Sequence, residues 1–146
     1  MSMRGLCSRR EADEFISKSL VKVNGQVLNT LGVRVDSESQ IEILSEGQDF
    51  LNDQSTIVLN KPRDYVSSQP EGGYTSALDL IREKNYFGSD YRPLIRKGLA
   101  PLGRLDIDST GLILYSQSGV LAKQIIGEET SVEKEYEVNV LSLIHI

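Results

Sequence analysis

With 146 residues, 39 % hydrophobic and 25 % charged, the chain has the balance of a globular protein of one domain, or of a small module joined to part of a larger one. No apolar run approaches the ~18 residues of a bilayer span, and no apolar signal core follows Met1. A single cysteine, Cys7, excludes an intrachain disulfide framework and a cysteine-built zinc site, so a reducing, cytoplasmic setting is expected.

The net charge of −5 is unevenly spread. Residues 1–34 carry six basic and three acidic side chains, and residues 61–104 carry eight against five. Residues 35–60 carry six acidic and no basic ones, and residues 105–146 carry seven acidic and two basic. Two basic zones could hold a polyanion while the average stays negative; plain solvated charge is the other reading.

In chain order, Ser8-Arg9-Arg10-Glu11 has capping-box spacing, and Ala12, Phe15 and Ile16 then fall on one helical face. Asn24-Gly25, between Val21-Lys22-Val23 and Gln26-Val27-Leu28, predicts a tight hairpin, because both central turn positions favour positive φ. With Ile41-Glu42-Ile43-Leu44 this makes a module over residues 1–45 whose helix lacks a packing partner unless something upstream is missing. Residues 46–56 are polar and read as a linker. A strand is expected over 56–61, ended by Pro62, and a short helix after Ser76 and Asp79. Residues 82–98 read as a loop, 111–115 as a buried strand, and 118–126 as a helix capped by Ser118 and stopped by Gly127. In 132–140 the even positions are Val132, Lys134, Tyr136, Val138 and Val140, while the odd ones are three glutamates and Asn139. Strand alternation puts Lys134 and Tyr136 on an inward face. There Lys134 either meets an anionic partner or snorkels to a sheet edge, with Tyr136 as plain core.

The stretch that most needs a chemical reason is Gly103-Arg104-Leu105-Asp106-Ile107-Asp108-Ser109-Thr110-Gly111. Its aspartates fit the nucleophile signature of dehalogenase-type phosphatases, but the segment before Asp106 is not a strongly apolar strand. They also overlay a calcium loop, but position 12 is Gln117, which cannot supply a bidentate carboxylate. The third reading is a lone catalytic aspartate beside positive charge.

On that reading, Gly103-Arg104-Leu105-Asp106, Asp108 and Thr110-Gly111-Leu112 resemble the central signature of the pseudouridine synthases of the ribosomal small-subunit pseudouridine synthase A family. Leu59-Asn60-Lys61-Pro62 resembles that family's opening strand motif, and Lys134-Glu135-Tyr136-Glu137-Val138 its Lys-x-Tyr-x-Val strand. Residues 5–25 look like the small RNA-binding module, the alpha-L motif, that precedes the catalytic domain. The resemblance spans residues 4–140 in the family's order. Ser19 and Asp64 stand where the pattern commonly has glycine, so a strained or reshaped turn is expected at Asp64.

The resemblance implies an α+β chain. A helix-plus-hairpin RNA-binding module would occupy 1–45 and a linker 46–56. The first half of a mixed, mainly antiparallel pseudouridine synthase sheet with packed helices would occupy 57–140, and 141–146 would be a tail unlike the family. It implies isomerisation of uridine to pseudouridine in ribosomal RNA, with no cofactor, no metal, no membrane, and a monomeric protein. It assigns Asp106 as the catalytic carboxylate, acting as nucleophile on the sugar or as base removing a ribose proton. Arg104 would lie at the RNA, Lys134 would help keep Asp106 ionised, and Tyr136 would stack on the flipped uracil. Arg9, Arg10 and Lys22 would contact phosphates. Asp108 would hydrogen-bond the turn, and His145, the only histidine, receives no role. Missing family segments at both ends, including an arginine that pairs with the aspartate, make an incomplete copy the expectation, with its own activity left open. The alternative is an RNA-binding fragment without chemistry. A plastid or mitochondrial setting stays open.

Overall fold

The computed structural model describes residues 1–70, 72–88 and 98–140. The tail 141–146, with His145, and most of the loop expected over 82–98 lie outside the described residues. The fold is α+β, with an N-terminal helix-and-hairpin unit followed by short sheets that carry the Asp106 stretch.

The expected capping box opens α1 (Arg9–Ser17): the Ser8 hydroxyl accepts from the Glu11 N–H, and the Glu11 carboxylate accepts from the Ser8 N–H. Ser19 leaves the helix at φ 58, the left-handed conformation for which glycine is usual. β1 (Val21–Val23) and β2 (Gln26–Leu28) form the hairpin, with Asn24 at φ 49 and Gly25 at φ 81, as a type I′ turn demands. The Asn24 side chain accepts from the Gln40 N–H at 2.9 Å, which ties the turn to β3 (Ile41–Ile43). β3 pairs antiparallel with β1, giving the order β2-β1-β3. Cys7, Ala12, Phe15, Val21 and Ile43 form the core of this unit. Burial pushes the Cys7 thiol up to about 11, helped by the Glu11 charge and opposed by the amino terminus.

The polar segment expected as a linker is instead a helix, α2 (Ser45–Asn52). Phe50 meets Phe15 edge to face, with ring centroids 5.7 Å apart. Gly47 is buried, and a Cβ there would stand 2.6 Å from Ile43 Cγ2. The glycine permits close approach rather than marking a turn. The packing partner that α1 needs thus comes from downstream in the chain.

β4 (Thr56–Lys61) starts the second unit, followed by β5 (Tyr65–Val66), which pairs in parallel with β6 (Thr75–Ser76). A 3₁₀ turn over Ala77–Leu80 follows, with the Ser76 hydroxyl accepting from the Leu78 N–H. β7 (Ala100–Pro101) and β8 (Gly111–Ser116) complete an antiparallel sheet of order β4-β8-β7. Its inner face packs Ile57, Leu59, Ile113 and Tyr115 against Ala77, Ile81, Leu99 and Leu105. The strand expected at 111–115 is therefore buried on one face only: Leu112, on the other face, is exposed. α3 (Gly119–Ile126) follows, capped by Ser118. Its first residue abuts the N-terminal unit, since a Cβ on Gly119 would lie 2.3 Å from Ser8 Cβ.

Residues 128–140 carry no helix or strand, and 131–140 are exposed throughout. The alternation over 132–140 therefore does not become a strand, and Lys134 and Tyr136 have no inward face. A strand needs a neighbour for its N–H and C=O groups, and no strand pairs with this segment among the described residues. Among the described residues no helix is long and apolar enough to cross a membrane.

Candidate functional site

The Asp106 stretch bridges β7 and β8, two adjacent antiparallel strands. Gly103 (φ 109) and Gly111 (φ 131) bound it, at angles L side chains rarely adopt. Between them exposure alternates: Arg104, Asp106, Asp108 and Thr110 are exposed, and Leu105, Ile107 and Ser109 are partly buried. Asp106 and Asp108 thus share the outer side.

The loop's backbone is held from one neighbouring segment, residues 61–67. On the N-terminal side of Asp106, the Ser67 hydroxyl donates to the Leu105 carbonyl at 2.6 Å and accepts from the Leu105 N–H at 3.0 Å. On the C-terminal side, the Ile107 carbonyl accepts from the Asp64 N–H at 3.0 Å and from Lys61 Nζ at 3.3 Å. Arg63 Nε donates to the Asp108 carbonyl at 3.0 Å. Within the loop, the Ser109 N–H donates to the Asp106 carbonyl at 3.1 Å. Tyr115 supports the holder itself, its buried hydroxyl donating to the Ser67 carbonyl at 2.7 Å. Burial pushes that phenol up to about 12.

Lys61 is the least expected member of this set. It is 0 % exposed, yet its ammonium is satisfied by three carbonyls, those of Pro62 and Tyr65 at 2.9 Å each and that of Ile107. Burial lowers its pKa, and the charges of Asp106, Asp108 and Asp64 oppose that shift. The alternation of β4 announces it: Ile57, Leu59 and Lys61 share one face. A lysine among core residues must find acceptors there. Lys61 is the lysine so placed, whereas Lys134 is exposed.

Asp64 has φ 69, so the turn keeps the conformation glycine would adopt. Such an angle is tolerated by Asp better than by most residues, and it aims the Asp64 N–H at Ile107. Asp108 joins the turn through its main-chain carbonyl rather than its carboxylate. The calcium-loop alternative needs the chain to curl round the ion through its seventh position, but that residue, Leu112, lies inside β8 opposite Asn60 of β4. Among the described residues no group of three His, Cys, Asp or Glu side chains could hold a metal ion.

The other residues singled out from the sequence lie apart from this loop. Lys134 donates to the Ile125 carbonyl at 3.4 Å, and Tyr136 is 63 % exposed. Among the described residues no hydrogen bond or ion pair joins either to Asp106. Arg9 and Arg10 are exposed in the first turn of α1, and Lys22 is partly buried in the middle of β1, between Val27 and Glu42. Arg9 also lines a cleft of about 800 Å³ with Lys123, between α1 and α3, away from Asp106. Missed entirely from the sequence were Arg63, Ser67 and Tyr115, whose roles come from partners about 40 residues away.

Comparison with known proteins fits this layout. Residues 55–144 match the family model described as RNA pseudouridylate synthase, and residues 1–41 match that of the S4 domain. An uncharacterized RNA pseudouridine synthase of Borreliella burgdorferi is 33 % identical over 142 residues, covering 93 % of this chain and 52 % of that protein. Ribosomal large subunit pseudouridine synthase B of Bacillus subtilis is 32 % identical over 138 residues, covering 93 % and 51 %. The dual-specificity RNA pseudouridine synthase RluF of Salmonella typhi is 34 % identical over 143 residues, covering 96 % and 45 %. The chain spans about half the length of these curated relatives. With more than half of its residues matched by the synthase model, this chain belongs to the RNA pseudouridylate synthase family.

Proposed function

We propose that this chain isomerises uridine to pseudouridine in ribosomal RNA, with Asp106 as the catalytic carboxylate. The observation that carries the reading is an exposed carboxylate on a loop whose backbone is fixed at the residues on either side of it. The reaction breaks the bond from the ribose to uracil N1 and makes one to uracil C5, whose hydrogen leaves to solvent while N1 takes up a proton. No atom is gained or lost overall, so one ionised carboxylate at the sugar suits it, as nucleophile or as base. Such a group must be held still, because misplacement of about 1 Å can cost ~10²-fold in rate. The reacting uridine leaves its stack, at a cost of a few kcal/mol that is least in a loop or single strand.

Arg104, exposed two residues before Asp106, is placed to meet phosphate or fill the gap left by the base. Arg9, Arg10 and Lys22 contact phosphates through the N-terminal unit. Replacing Arg9 and Arg10 by alanine weakens binding to ribosomal RNA and lowers the slope of log K against log salt by about 2, one per lost contact. An unchanged slope removes them from the interface. Tyr136 and Lys134 join the site only if residues 131–140 dock beside Asp106 with RNA bound.

The test is tritium release from ribosomal RNA labelled at uracil C5, with the parental chain and with Asp106→Asn. Release by the former and loss in the latter supports the reading. A second reading, RNA binding without isomerisation, is favoured by the exposed state of Lys134 and Tyr136. RNA binding with no release from the parental chain would select it.

A further inference from the structure

We propose that Ser67 and Lys61 are a pair of positioning residues that fix where the Asp106 carboxylate points, by clamping the peptide units on either side of it. The kinetic half of this claim rests on the proposed isomerisation; the structural half does not.

The clamp follows from which atoms are held. An exposed loop closed by two glycines at positive φ is locally free to twist. Its direction must therefore come from contacts outside itself. Ser67 engages both the N–H and the carbonyl of Leu105, so it fixes a residue's orientation as well as its distance. Lys61 engages Ile107 and, with the same ammonium, the Pro62 and Tyr65 carbonyls that shape the turn supplying the Asp64 N–H. Asp106 sits between the two grips. Neither Ser67 nor Lys61 hydrogen-bonds its carboxylate: Ser67 acts through the backbone, and Lys61 acts through the backbone and, at longer range, through its charge.

The chemistry of the two grips differs in a useful way. Ser67 is neutral and rests on Tyr115, which anchors it to the core. Lys61 carries a charge whose solvation has been replaced by three carbonyls, an arrangement that collapses if one acceptor moves. Loss of either grip should let the peptide planes at 105–108 rotate while β4 and β8 stay paired.

The experiment is amide hydrogen exchange, resolved by residue, on the 146-residue chain and on Ser67→Ala and Lys61→Met. The informative reporters of Ser67→Ala are the N–H groups of Asp64 and Ser109, neither of which bonds to the removed hydroxyl. Amides of the β4–β8 ladder are the control. The proposal expects exchange at both reporters to rise ~10- to 100-fold with the ladder unchanged. It also expects kcat for tritium release to fall ~10- to 100-fold with KM nearly constant. Lys61→Met preserves chain length and apolar volume, and it carries the same measurement if Ser67→Ala does not fold.

Equal acceleration in loop and ladder would mean general destabilisation and overturn the proposal, as would parental exchange at the reporters. A freed loop with parental kcat would also overturn it, leaving the isomerase reading intact. If the parental chain releases no tritium, that reading fails instead, and the exchange rates alone decide whether the clamp exists.

Discussion

The loop 103–110 and the segment 131–140 show opposite outcomes of similar patterning. Both alternate polar with apolar residues, and both hold side chains expected at the same reaction centre. The loop is gripped at Leu105, Ile107 and Asp108 by residues about 40 positions earlier, and its shape is defined by them. The later segment is exposed along its length, with Val138 at 73 %, and among the described residues Lys134 reaches back to the Ile125 carbonyl alone. Alternation states which faces a strand would have; only a neighbour with open hydrogen-bonding groups makes it one. The difference between these regions is the supply of partners rather than local propensity.

That contrast can be broken most sharply with a matched pair of tyrosines. Tyr115→Ala, beneath the loop, should destabilise the chain by ~3–5 kcal/mol in a urea melt, because it empties a core site and removes the donor to Ser67. If Tyr115→Ala melts like the parental chain, the core under the Asp106 loop is not what defines it.

A smaller effect comes from alkali. Tyr115 ionises near 10.0 when unfolded and near 12 when folded, so the folded state keeps a proton that the unfolded state loses. Its contribution is complete below pH 10 and is lost as pH rises through 12, on the order of 2–3 kcal/mol in all. Cys7 adds a loss of the same sign between 9.0 and about 11. Lys61, whose pKa is lowered on folding, acts oppositely up to 10.5. Tyr115→Phe keeps the other two, so the difference between its stability-against-pH curve and the parental one isolates the phenol. Parallel curves would show that the hydroxyl is not buried.

The smallest effect belongs to the other tyrosine. Tyr136→Ala should change the stability of the isolated chain by no more than ~0.5 kcal/mol, as for an exposed side chain with no fixed partner among the described residues. A loss of several kcal/mol on this change would mean that residues 131–140 are packed after all.

Much of the N-terminal unit was legible because its signals are local. Ser8 and Glu11 form one cap, and Asn24-Gly25 makes one turn. Helix α2 was not legible, because it has no side-chain cap, carries an interior glycine, and exposes most of its polar residues. Its identity as a helix depends on Phe15 and Ile43, which wait to be covered. At the candidate site, Asp106 was singled out from its motif and the buried strand after it, but the residues that hold its loop were not. Ser67 and Tyr115 are ordinary in sequence and become specific only when β4, β5 and β8 bring residues 61–67 beside 103–110. Ser19 and Asp64 show the converse: the substituted side chains did not reshape the turns, since both keep the positive φ suited to glycine.

The proposed reaction turns on the carboxylate at position 106. Its most direct test is tritium release from C5-labelled ribosomal RNA by the parental chain and by Asp106→Asn under identical conditions. Release by the parental chain, with a fall on the order of 10⁴-fold or more in the variant, is the predicted result. Equal release by both would contradict it, and so would release by neither.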